Sequence, residues 1–265
     1  MIDAYASLDD TELAIAAALA GAAIVRKGHG QRLARIDKGH GDFATAADVA
    51  AEKAILDLIR AARPDDALLG EEGGKQGPED VERQWLVDPL CGTLNYAVGS
   101  MLVAVNVALR DGAAAVADPF SGEVFFTDGR SAFVRRDGAD TKLSPSPATG
   151  LVDVNLDPPF PSAPTFRAVD LLAHPDFVSR FRPRVVSTTL ALTWVAAGKR
   201  AAYVTDGTDL SGSVHFAAGI ALCVASGCVV TGLDGSALGP EPGRGLIAAA
   251  DPDTHSALLS MINHG

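Results

Sequence analysis

Trp85-Leu86-Val87-Asp88-Pro89-Leu90-Cys91-Gly92-Thr93 determines more about the architecture of this chain than any other segment. The apolar run at its start predicts a buried strand. Asp88 would then stand at the end of that strand, followed by a turn and by Gly92-Thr93 at the start of the next segment. An acid followed by a glycine-led helix start is how a protein presents a metal-bound phosphate. Cys91 occupies a position where a second oxygen ligand would be expected.

The composition predicts a globular protein with a substantial core. The chain has 265 residues, of which 48% are hydrophobic and 21% charged, and this length fits one large domain or two closely packed halves. A formal net charge of -11 argues against nucleic acid as the main partner, because phosphate backbones attract basic surfaces. It does not exclude a small phosphate ester, because a bound cation reverses the local sign.

Three features predict a cytoplasmic protein that does not contact membranes. The first ten residues carry acids and no cationic region, so no signal peptide is predicted. The apolar stretch from Leu13 to Val25 is too short to span a bilayer. The chain has 3 cysteines, an odd number without framework spacing, which indicates a reducing compartment.

The first half combines helices with a meander of short strands. Helical periodicity and end signals predict helices from Asp9 to Lys27 and from Thr45 to Arg63, with a polar loop at Lys38–Asp42 between them. Ala67-Leu68-Leu69 predicts a short buried strand. Between Met101 and Leu143, apolar runs alternate with turn signals, which predicts an antiparallel meander.

Strands and helices alternate in the second half. Strands are predicted at residues 152–155, 184–186, 201–204, 228–231 and 246–249, and helices at 166–180, 190–197, 216–225 and from 254 onward. Proline-rich stretches at 144–150 and 157–164 indicate linkers. The predicted fold is an α+β layer over residues 1–146 followed by an α/β layer over residues 147–265.

Glu71 and Asp88 are the first candidate metal ligands. Each follows a predicted buried strand, so both carboxylates can emerge at the same sheet edge. Together with the backbone carbonyl of Leu90 they suit a hard divalent ion such as Mg²⁺. The alternative is that Glu71 is a solvated loop acid and Asp88 caps a turn. The combination with Asp-Pro and Gly-Thr favours the metal.

Gly92-Thr93 and Asp48 are candidates for positions around that ion. Glycine lets backbone N–H groups approach an anion at a helix start, and the Thr93 hydroxyl could orient a water. The alternative for Thr93 is an ordinary helix cap. Asp48 follows Thr45 by three residues, so it either completes a helix cap or faces Glu71 and supports a further, water-linked cation.

Several motifs in this order resemble the inositol monophosphatase family. They are Thr45-Ala46-Ala47-Asp48, Gly70-Glu71-Glu72-Gly73, Trp85 to Tyr96, Ser187 to Leu192, Ala196 to Tyr203, Ala217-Ala218-Gly219 and Ala225-Ser226-Gly227. The resemblance covers nearly the whole chain. It implies a layered αβαβα sandwich of the inositol-monophosphatase and fructose-bisphosphatase kind, a homodimer, and Mg²⁺-dependent hydrolysis of small phosphomonoesters.

The resemblance also implies a role for each candidate residue. Glu71, Asp88 and the Leu90 carbonyl match the ligands of the first metal ion, and Asp48 matches an outer ligand. Thr93 matches the residue that, with Glu71, activates the attacking water. The substrate-side matches are the Gly92 and Thr93 amides, as a phosphate cradle, and Asp209, within the segment from Thr205 to Ser213 that lines the substrate side.

Two departures from the family pattern fall on the second metal ion. The family has Asp where this chain has Cys91, and Trp-Asp where it has Val214-His215. The ligands left around that ion would be Asp88, Cys91 and His215. Thiolate and imidazole suit Zn²⁺ and other softer ions better than Mg²⁺, so Zn²⁺ or Mn²⁺ is considered for the altered second site. Three interpretations stay open: retuning to a softer metal, hydrolysis with a single Mg²⁺, or loss of turnover.

The leading hypothesis is therefore a metal-dependent phosphomonoesterase acting on a small phosphorylated metabolite, such as an inositol-phosphate-like compound or a sugar phosphate. The alternative is a catalytically degenerate member that binds a phosphate ligand or metal without efficient turnover. The residues do not distinguish among possible substrate alcohols, because function belongs to the site and not to the fold.

Overall fold

The computed structural model describes residues 5–31, 35–39, 42–79, 81–156, 168–206, 210–239 and 245–263. Within these residues the strands form an eight-stranded sheet, a five-stranded sheet and a two-stranded hairpin. None of the helices in the described part of the chain has the length and apolarity needed to cross a membrane.

Three helices and ten strands of the first half have both ends within the described residues. The helices are α1 (Asp10–Gly28), α2 (Ala46–Ala62) and α3 (Thr93–Ala97). The strands are β1 (Arg35–Gly39), β2 (Asp42–Thr45), β3 (Ala67–Gly70), β4 (Gly74–Gln76), β5 (Gln84–Cys91), β6 (Ala104–Leu109), β7 (Ala114–Ala117), β8 (Val124–Thr127), β9 (Ala132–Arg136) and β10 (Ala139–Lys142). The large sheet has the order β10-β9-β8-β7-β6-β5-β3-β4.

The second half builds the smaller sheet. Its described helices are α4 (Ala168–Ala173), α5 (Pro175–Arg180), α6 (Leu190–Ala196), α7 (Ala217–Ser226) and α8 (Pro252–Asn263). Its strands are β11 (Leu151–Asn155), β12 (Arg182–Val185), β13 (Ala202–Thr205), β14 (Val229–Thr231) and β15 (Leu246–Ala249). They are ordered β12-β11-β13-β15-β14.

Alternation along the strands separates the core into three layers. Trp85 and Val87 of β5 pack with α1 and α2, whereas Leu86 between them packs with α6 and α7. In β15, Leu246 faces the same middle layer, and Ile247 faces α4, α5 and α8. Successive strand residues point to opposite faces, so each sheet is covered on both sides. The predicted αβαβα sandwich is confirmed.

The two long helices of the first half begin where their caps predict. The Asp9 side chain accepts a hydrogen bond from the Glu12 amide and starts α1. Thr45 and Asp48 form a reciprocal capping box at the start of α2. These side chains satisfy amides that the first turn of a helix leaves without partners. Both predicted helices are confirmed to within one residue at each end.

The single helix predicted from Phe166 to Arg180 is wrong. The described part is two short helices, α4 and α5, separated at His174, whose backbone is extended. Pro175 has no N–H and disfavours helical geometry in the residue before it, so the helix is interrupted there. Phe166 and Arg167 lie outside the described residues.

The loop predicted at Lys38–Asp42 is also partly wrong. Lys38 and Gly39 belong to β1, and Asp42 belongs to β2. The two strands pair in antiparallel register, with an irregularity between Asp37 and Gly39. Residues 40 and 41 lie outside the described part. A short polar hairpin lacks an apolar alternation, so strand periodicity could not indicate it.

Strand β5 extends beyond the end predicted for it. It continues through Asp88 to Cys91, with a register shift against β6 between these two residues. Pro89 lacks the N–H that a regular ladder needs, and such positions are found at bulges. Asp88 is consequently inside the sheet and completely buried, not at a strand end.

The two halves share the middle core layer. In chain order, β10 is the last strand of the large sheet and β11 is the first strand of the small sheet. Residues 144–150 therefore connect the two sheets, as the sequence indicates. Leu86 and Phe125 of the first half nevertheless lie in the same apolar cluster as Leu190 and Leu246 of the second. The other linker indicated by the sequence, 157–164, lies outside the described residues.

Candidate functional site

Two neighbouring parallel strands of the large sheet bring Glu71 and Asp88 close together. β3 pairs with β5 in parallel, with Gly70 opposite Val87. The Glu71 amide continues this ladder by donating to the Val87 carbonyl at 3.1 Å. Glu71 and Asp88 therefore follow paired positions on adjacent strands, and their side chains emerge at the same place.

His215 joins these two acids from the second half of the chain. The three side chains each offer an atom suited to a metal ion, and these atoms all lie within 4.8 Å of one another. The His215 Nδ1 atom is 2.8 Å from Asp88 Oδ2. His215 lies two residues before α7, which packs in the middle layer, and this packing brings the imidazole next to Asp88 of β5.

The Asp88 carboxylate is fixed in orientation. Its Oδ1 atom accepts a hydrogen bond from the Leu90 amide at 3.0 Å, and Oδ2 contacts His215 and the Asn106 amide nitrogen, the latter at 3.5 Å. A buried carboxylate needs such partners because it has lost its hydration. The Asp88 side chain is 0% exposed. The bulge in β5 sets its direction toward Glu71 and His215.

The donor set fits a divalent cation. Two carboxylates supply the oxygen ligands that Mg²⁺ prefers, and the imidazole of His215 adds a nitrogen that suits Mn²⁺ or Zn²⁺. Three protein ligands leave positions open for water or a substrate oxygen. The arrangement can therefore hold an ion and present it to a phosphate.

Thr93 and Asp48 lie beside this group. The Thr93 hydroxyl is 3.2 Å from Asp48 Oδ1 and 3.2 Å from the Leu90 carbonyl oxygen. The other Asp48 oxygen accepts from the Thr45 amide at 2.9 Å. Burial raises the pKa of Asp48, and the bonds from Thr45 and Thr93 oppose that rise. Asp48 thus caps α2 with one oxygen and contacts the candidate site with the other.

Gly92 is required by both conformation and space. Its φ of 102° is left-handed, and a Cβ there would lie 2.9 Å from the Leu102 carbonyl oxygen. Only glycine adopts that backbone without strain. Asn95, one turn into α3, donates to the carbonyls of Leu102 and Ser187, each at 2.9 Å. These bonds fix the start of α3 against the second half.

Cys91 lies apart from the group of three. Its sulfur accepts hydrogen bonds from the Thr189 amide at 3.3 Å and the Thr189 hydroxyl at 2.9 Å, and its side chain packs against the middle core layer. Burial, followed by the nearby charge of Asp88, raises the pKa of the Cys91 thiol well above its ordinary value. The structure brings Asp88 and His215 together, but not with Cys91.

This environment predicts that Cys91 resists alkylation in the folded protein. The thiolate is the reactive form, so at pH 8 iodoacetamide should modify Cys91 at least about tenfold more slowly than in urea. Cys228 should react first, because a hydrogen bond with the Cys223 thiol lowers the pKa of Cys228. Peptide mass spectrometry over time measures both rates. Equal alkylation rates at Cys91 and Cys228 would contradict the raised pKa of Cys91 and the lowered pKa of Cys228.

The substrate-side segment is only partly described. Asp209, with residues 207 and 208, lies outside the described residues. Asp206 is buried, and one of its oxygens accepts a hydrogen bond from the Ala168 amide at 2.5 Å. Asp206 therefore stabilises the first turn of α4.

Three residues that contact the site were not proposed as site residues from the sequence, although Thr189 lies in one of the matched motifs. Asn106 donates to the Thr189 hydroxyl at 2.8 Å, and Thr189 contacts the His215 carbonyl at 2.8 Å. Glu52 accepts hydrogen bonds from the loop that carries Glu71. Two signals were available: Asn106 interrupts an apolar strand, and Glu52 follows Asp48 by four residues on one helix face.

Comparison with known proteins gives a consistent result over the whole chain. The family model described as the inositol monophosphatase family matches residues 8–264. An inositol-1-monophosphatase of Caulobacter vibrioides is 31% identical over 242 residues, which cover 85% of this chain and 89% of that protein. The Nus factor SuhB of Pasteurella multocida is 32% identical over 202 residues, covering 71% of this chain and 72% of the relative.

Solved structures match the fold at similar length. The inositol monophosphatase (IMPase) of Thermotoga maritima superposes with a TM-score of 0.81 at 21% identity, over 97% of this chain and 98% of that one. The extragenic suppressor protein SuhB of Bartonella henselae has a TM-score of 0.80 at 26% identity, over 96% of this chain and 98% of that one.

Proposed function

Because the chain belongs to the inositol monophosphatase family, we propose that it hydrolyses a small phosphate monoester at the site formed by Glu71, Asp88 and His215. The chain is an enzyme, a metal-dependent phosphoric monoester hydrolase of small phosphate esters. The observation that carries the assignment to this site is the approach of the three ligand atoms to within 4.8 Å of one another.

The proposed first ion is Mg²⁺, with Glu71, Asp88 and the Leu90 carbonyl as its ligands and Asp48 as an outer ligand. A divalent cation bound there supplies positive charge to the phosphate oxygens and raises the acidity of water. The support is the burial of Asp88 and Leu90 and the hydrogen bond that links Asp48 to Thr93. Asp48 then holds the Thr93 hydroxyl beside the Leu90 carbonyl.

Glu71 and Thr93 are proposed to orient and deprotonate the attacking water. A carboxylate with a hydroxyl at its side can align a water and accept its proton. The amides of Gly92 and Thr93 would bind phosphate oxygens, because the left-handed glycine keeps side-chain atoms out of their path. Asp209 is proposed to contact the alcohol portion of the substrate.

His215 is proposed as the residue that sets metal preference. Its imidazole lies 2.8 Å from Asp88 Oδ2, and nitrogen ligands favour Mn²⁺ or Zn²⁺ over Mg²⁺. Cys91 is the other departure from the family pattern. To bind an ion the Cys91 thiol must lose its proton, which its raised pKa disfavours, and Cys91 lies outside the group of three. We therefore assign the preference to His215 and leave Cys91 as a neighbour.

Replacing His215 by aspartate is predicted to shift the enzyme toward Mg²⁺. An oxygen ligand replaces nitrogen beside Asp88, so the ratio of kcat/KM with Mg²⁺ to that with Mn²⁺ should rise about tenfold. Elemental analysis after purification without chelators should show less Mn²⁺ or Zn²⁺ bound. Cys91→Asp is the matched control, and it should change the ratio less. An unchanged ratio and metal content in His215→Asp would overturn the role of His215.

A panel of phosphate esters tests the proposed function as a whole. We propose a polyol monophosphate as substrate, because the Caulobacter relative is named for inositol 1-phosphate hydrolysis. Phosphate release should be largest from inositol 1-phosphate or a sugar phosphate assayed with Mg²⁺, Mn²⁺ and Zn²⁺. The relatives give no support to a catalytically silent binding protein. Absence of turnover across the panel with all three ions would overturn the proposal.

The remaining proposals concern the state of the protein in the cell. A homodimer and a cytoplasmic location stay predictions, and the net charge of -11 is consistent with a small metabolite, not nucleic acid, as the main partner. Sedimentation velocity at micromolar concentration measures the oligomeric state directly.

A further inference from the structure

Glu52 is a buried acid outside the group of candidate ligands. It lies on α2 and is 5% exposed. We infer that Glu52 is a positioning residue that sets the place of Glu71, and this inference rests on the proposed function of Glu71. Its carboxylate contacts the chain immediately after Glu71, and it does not belong to the group that could bind the ion.

Both Glu52 oxygens accept hydrogen bonds from one short turn. Oε2 accepts from the Glu72 amide at 2.8 Å, and Oε1 accepts from the Gly73 amide at 2.7 Å. Hydrogen bonds from backbone amides to an ionised carboxylate are shorter and stronger than neutral ones. The pair of bonds fixes the orientation of two successive peptide units directly beside Glu71.

Glycines on either side of the turn make room for this carboxylate. A Cβ on Gly70 would lie 2.5 Å from Glu52 Cδ, and its three nearest atoms would all belong to Glu52. A Cβ on Gly73 would lie 2.8 Å from Glu52 Oε1. Any larger residue at Gly70 must therefore displace the Glu52 side chain.

One helix face contacts both parts of the site. Asp48 and Glu52 are four residues apart on α2, a spacing that puts their side chains on the same face. Asp48 contacts the Thr93 hydroxyl, whereas Glu52 binds the turn that carries Glu71. Helix α2 thereby sets the distance between Thr93 and Glu71, the two residues proposed to bind the attacking water.

The contacts from Glu52 fall on the two amides that follow Glu71 in its turn. This turn joins β3 to β4, a strand of three residues at the edge of the large sheet. The Glu71 amide bonds to Val87, but the next two amides bond to Glu52. Loss of an outer partner that orients a ligand typically costs about 10- to 100-fold in metal affinity or activity.

Replacing Glu52 by glutamine tests the inference with a nearly isosteric change. The amide NH₂ cannot accept a hydrogen bond, so one of the two turn amides loses its partner. Calorimetric titration of the full chain with Mn²⁺ should show at least about tenfold weaker binding. The Mn²⁺ concentration for half-maximal activity should rise by a similar factor.

Asp66→Asn is the matched control. Asp66 is a buried acid, 7% exposed, that bonds to the Trp85 indole at 2.8 Å and lies before β3, at the end of that strand away from Glu71. The Asp66→Asn variant should have a lower unfolding temperature than the unchanged protein. Its Mn²⁺ affinity should change by no more than about twofold, because Asp66 does not contact the site. If Glu52→Gln changes only the unfolding temperature, as Asp66→Asn does, the positioning role is overturned.

A double-mutant cycle gives a second, independent test. Gly70→Ala should weaken Mn²⁺ binding about tenfold in the otherwise unchanged protein, because the new methyl group displaces Glu52. In a Glu52→Ala background the space is already vacated, so Gly70→Ala should add less than about twofold. Additive effects would overturn the inference. If Glu52→Ala does not fold, the single variant Gly70→Ala remains as the test. Undiminished Mn²⁺ affinity in that variant would overturn the inference.

The two proposals fail in different ways. If the unchanged protein neither binds Mn²⁺ nor hydrolyses any ester, the proposed function is wrong and the inference about Glu52 falls with it. If the unchanged protein does both, and Glu52→Gln and Gly70→Ala bind Mn²⁺ as tightly as it does, the proposed function stands and the role of Glu52 is wrong.

Discussion

Asp88→Asn should lower kcat/KM by about 10³-fold with every divalent ion tested, because it removes a charge worth roughly 4 kcal/mol to a bound ion and its phosphate. Asparagine retains an oxygen that can accept from the Leu90 amide, the bond that Asp88 Oδ1 makes at 3.0 Å. The bulge in β5 should therefore persist, so the loss would report chemistry and not unfolding. Steady-state kinetics and circular dichroism measure the two effects separately.

The control for Asp88→Asn is again Asp66→Asn, which removes a buried negative charge near the opposite end of the neighbouring strand. It should leave kcat/KM within about threefold of the unchanged protein. Full activity of Asp88→Asn on the best ester found would show that the reaction does not use this carboxylate, and the proposed site would have to be abandoned.

Glu71→Gln has the second largest predicted effect. Glutamine keeps the shape of the side chain but can neither accept a proton from water nor offer a negative ligand. Loss of a general base typically lowers the rate by about 10²- to 10⁴-fold, so kcat should fall into that range. KM for the ester should change less, because the proposed phosphate cradle is formed by the amides of Gly92 and Thr93.

Glu72→Gln is the matched control for Glu71→Gln, since the two acids are adjacent in the same turn. The contact that Glu72 makes with Glu52 uses its backbone amide, which the substitution leaves unchanged. Activity should stay within about twofold. Equal losses in Glu71→Gln and Glu72→Gln would indicate a disturbed turn, and would remove the case for Glu71 as the base.

The fold explains why the largest losses of activity are predicted at Asp88 and Glu71. β3 and β5 are adjacent and parallel in the interior of the large sheet, so the residues that follow paired positions must lie side by side. Parallel ladders are buried on both faces, and the surrounding apolar layers exclude water from Asp88. A charge in such a place interacts strongly with a bound cation because the local dielectric constant is low.

Much of the architecture followed from patterns within a few residues. Capping signals at Asp9 and Thr45 predicted the two long helices, and turn signals predicted the meander. The failures have local causes as well. Pro175 was a local signal for a break at His174, which the prediction of one helix from Phe166 to Arg180 did not use. The polar hairpin of β1 and β2 had no periodicity to detect.

The sequence by itself indicated an α+β half followed by an α/β half and the approach of Glu71 to Asp88, because strand patterns depend on residues close together in the chain. The αβαβα layering was implied by the family resemblance. The resemblance also implied that His215, 127 residues from Asp88, lies near it, as the structure shows. Only the tertiary structure decided that Cys91 bonds to Thr189 and that Glu52 binds the turn after Glu71. Those contacts depend on how α7 and α2 pack onto the large sheet. Packing between layers is set by the whole core, so no local pattern could specify it.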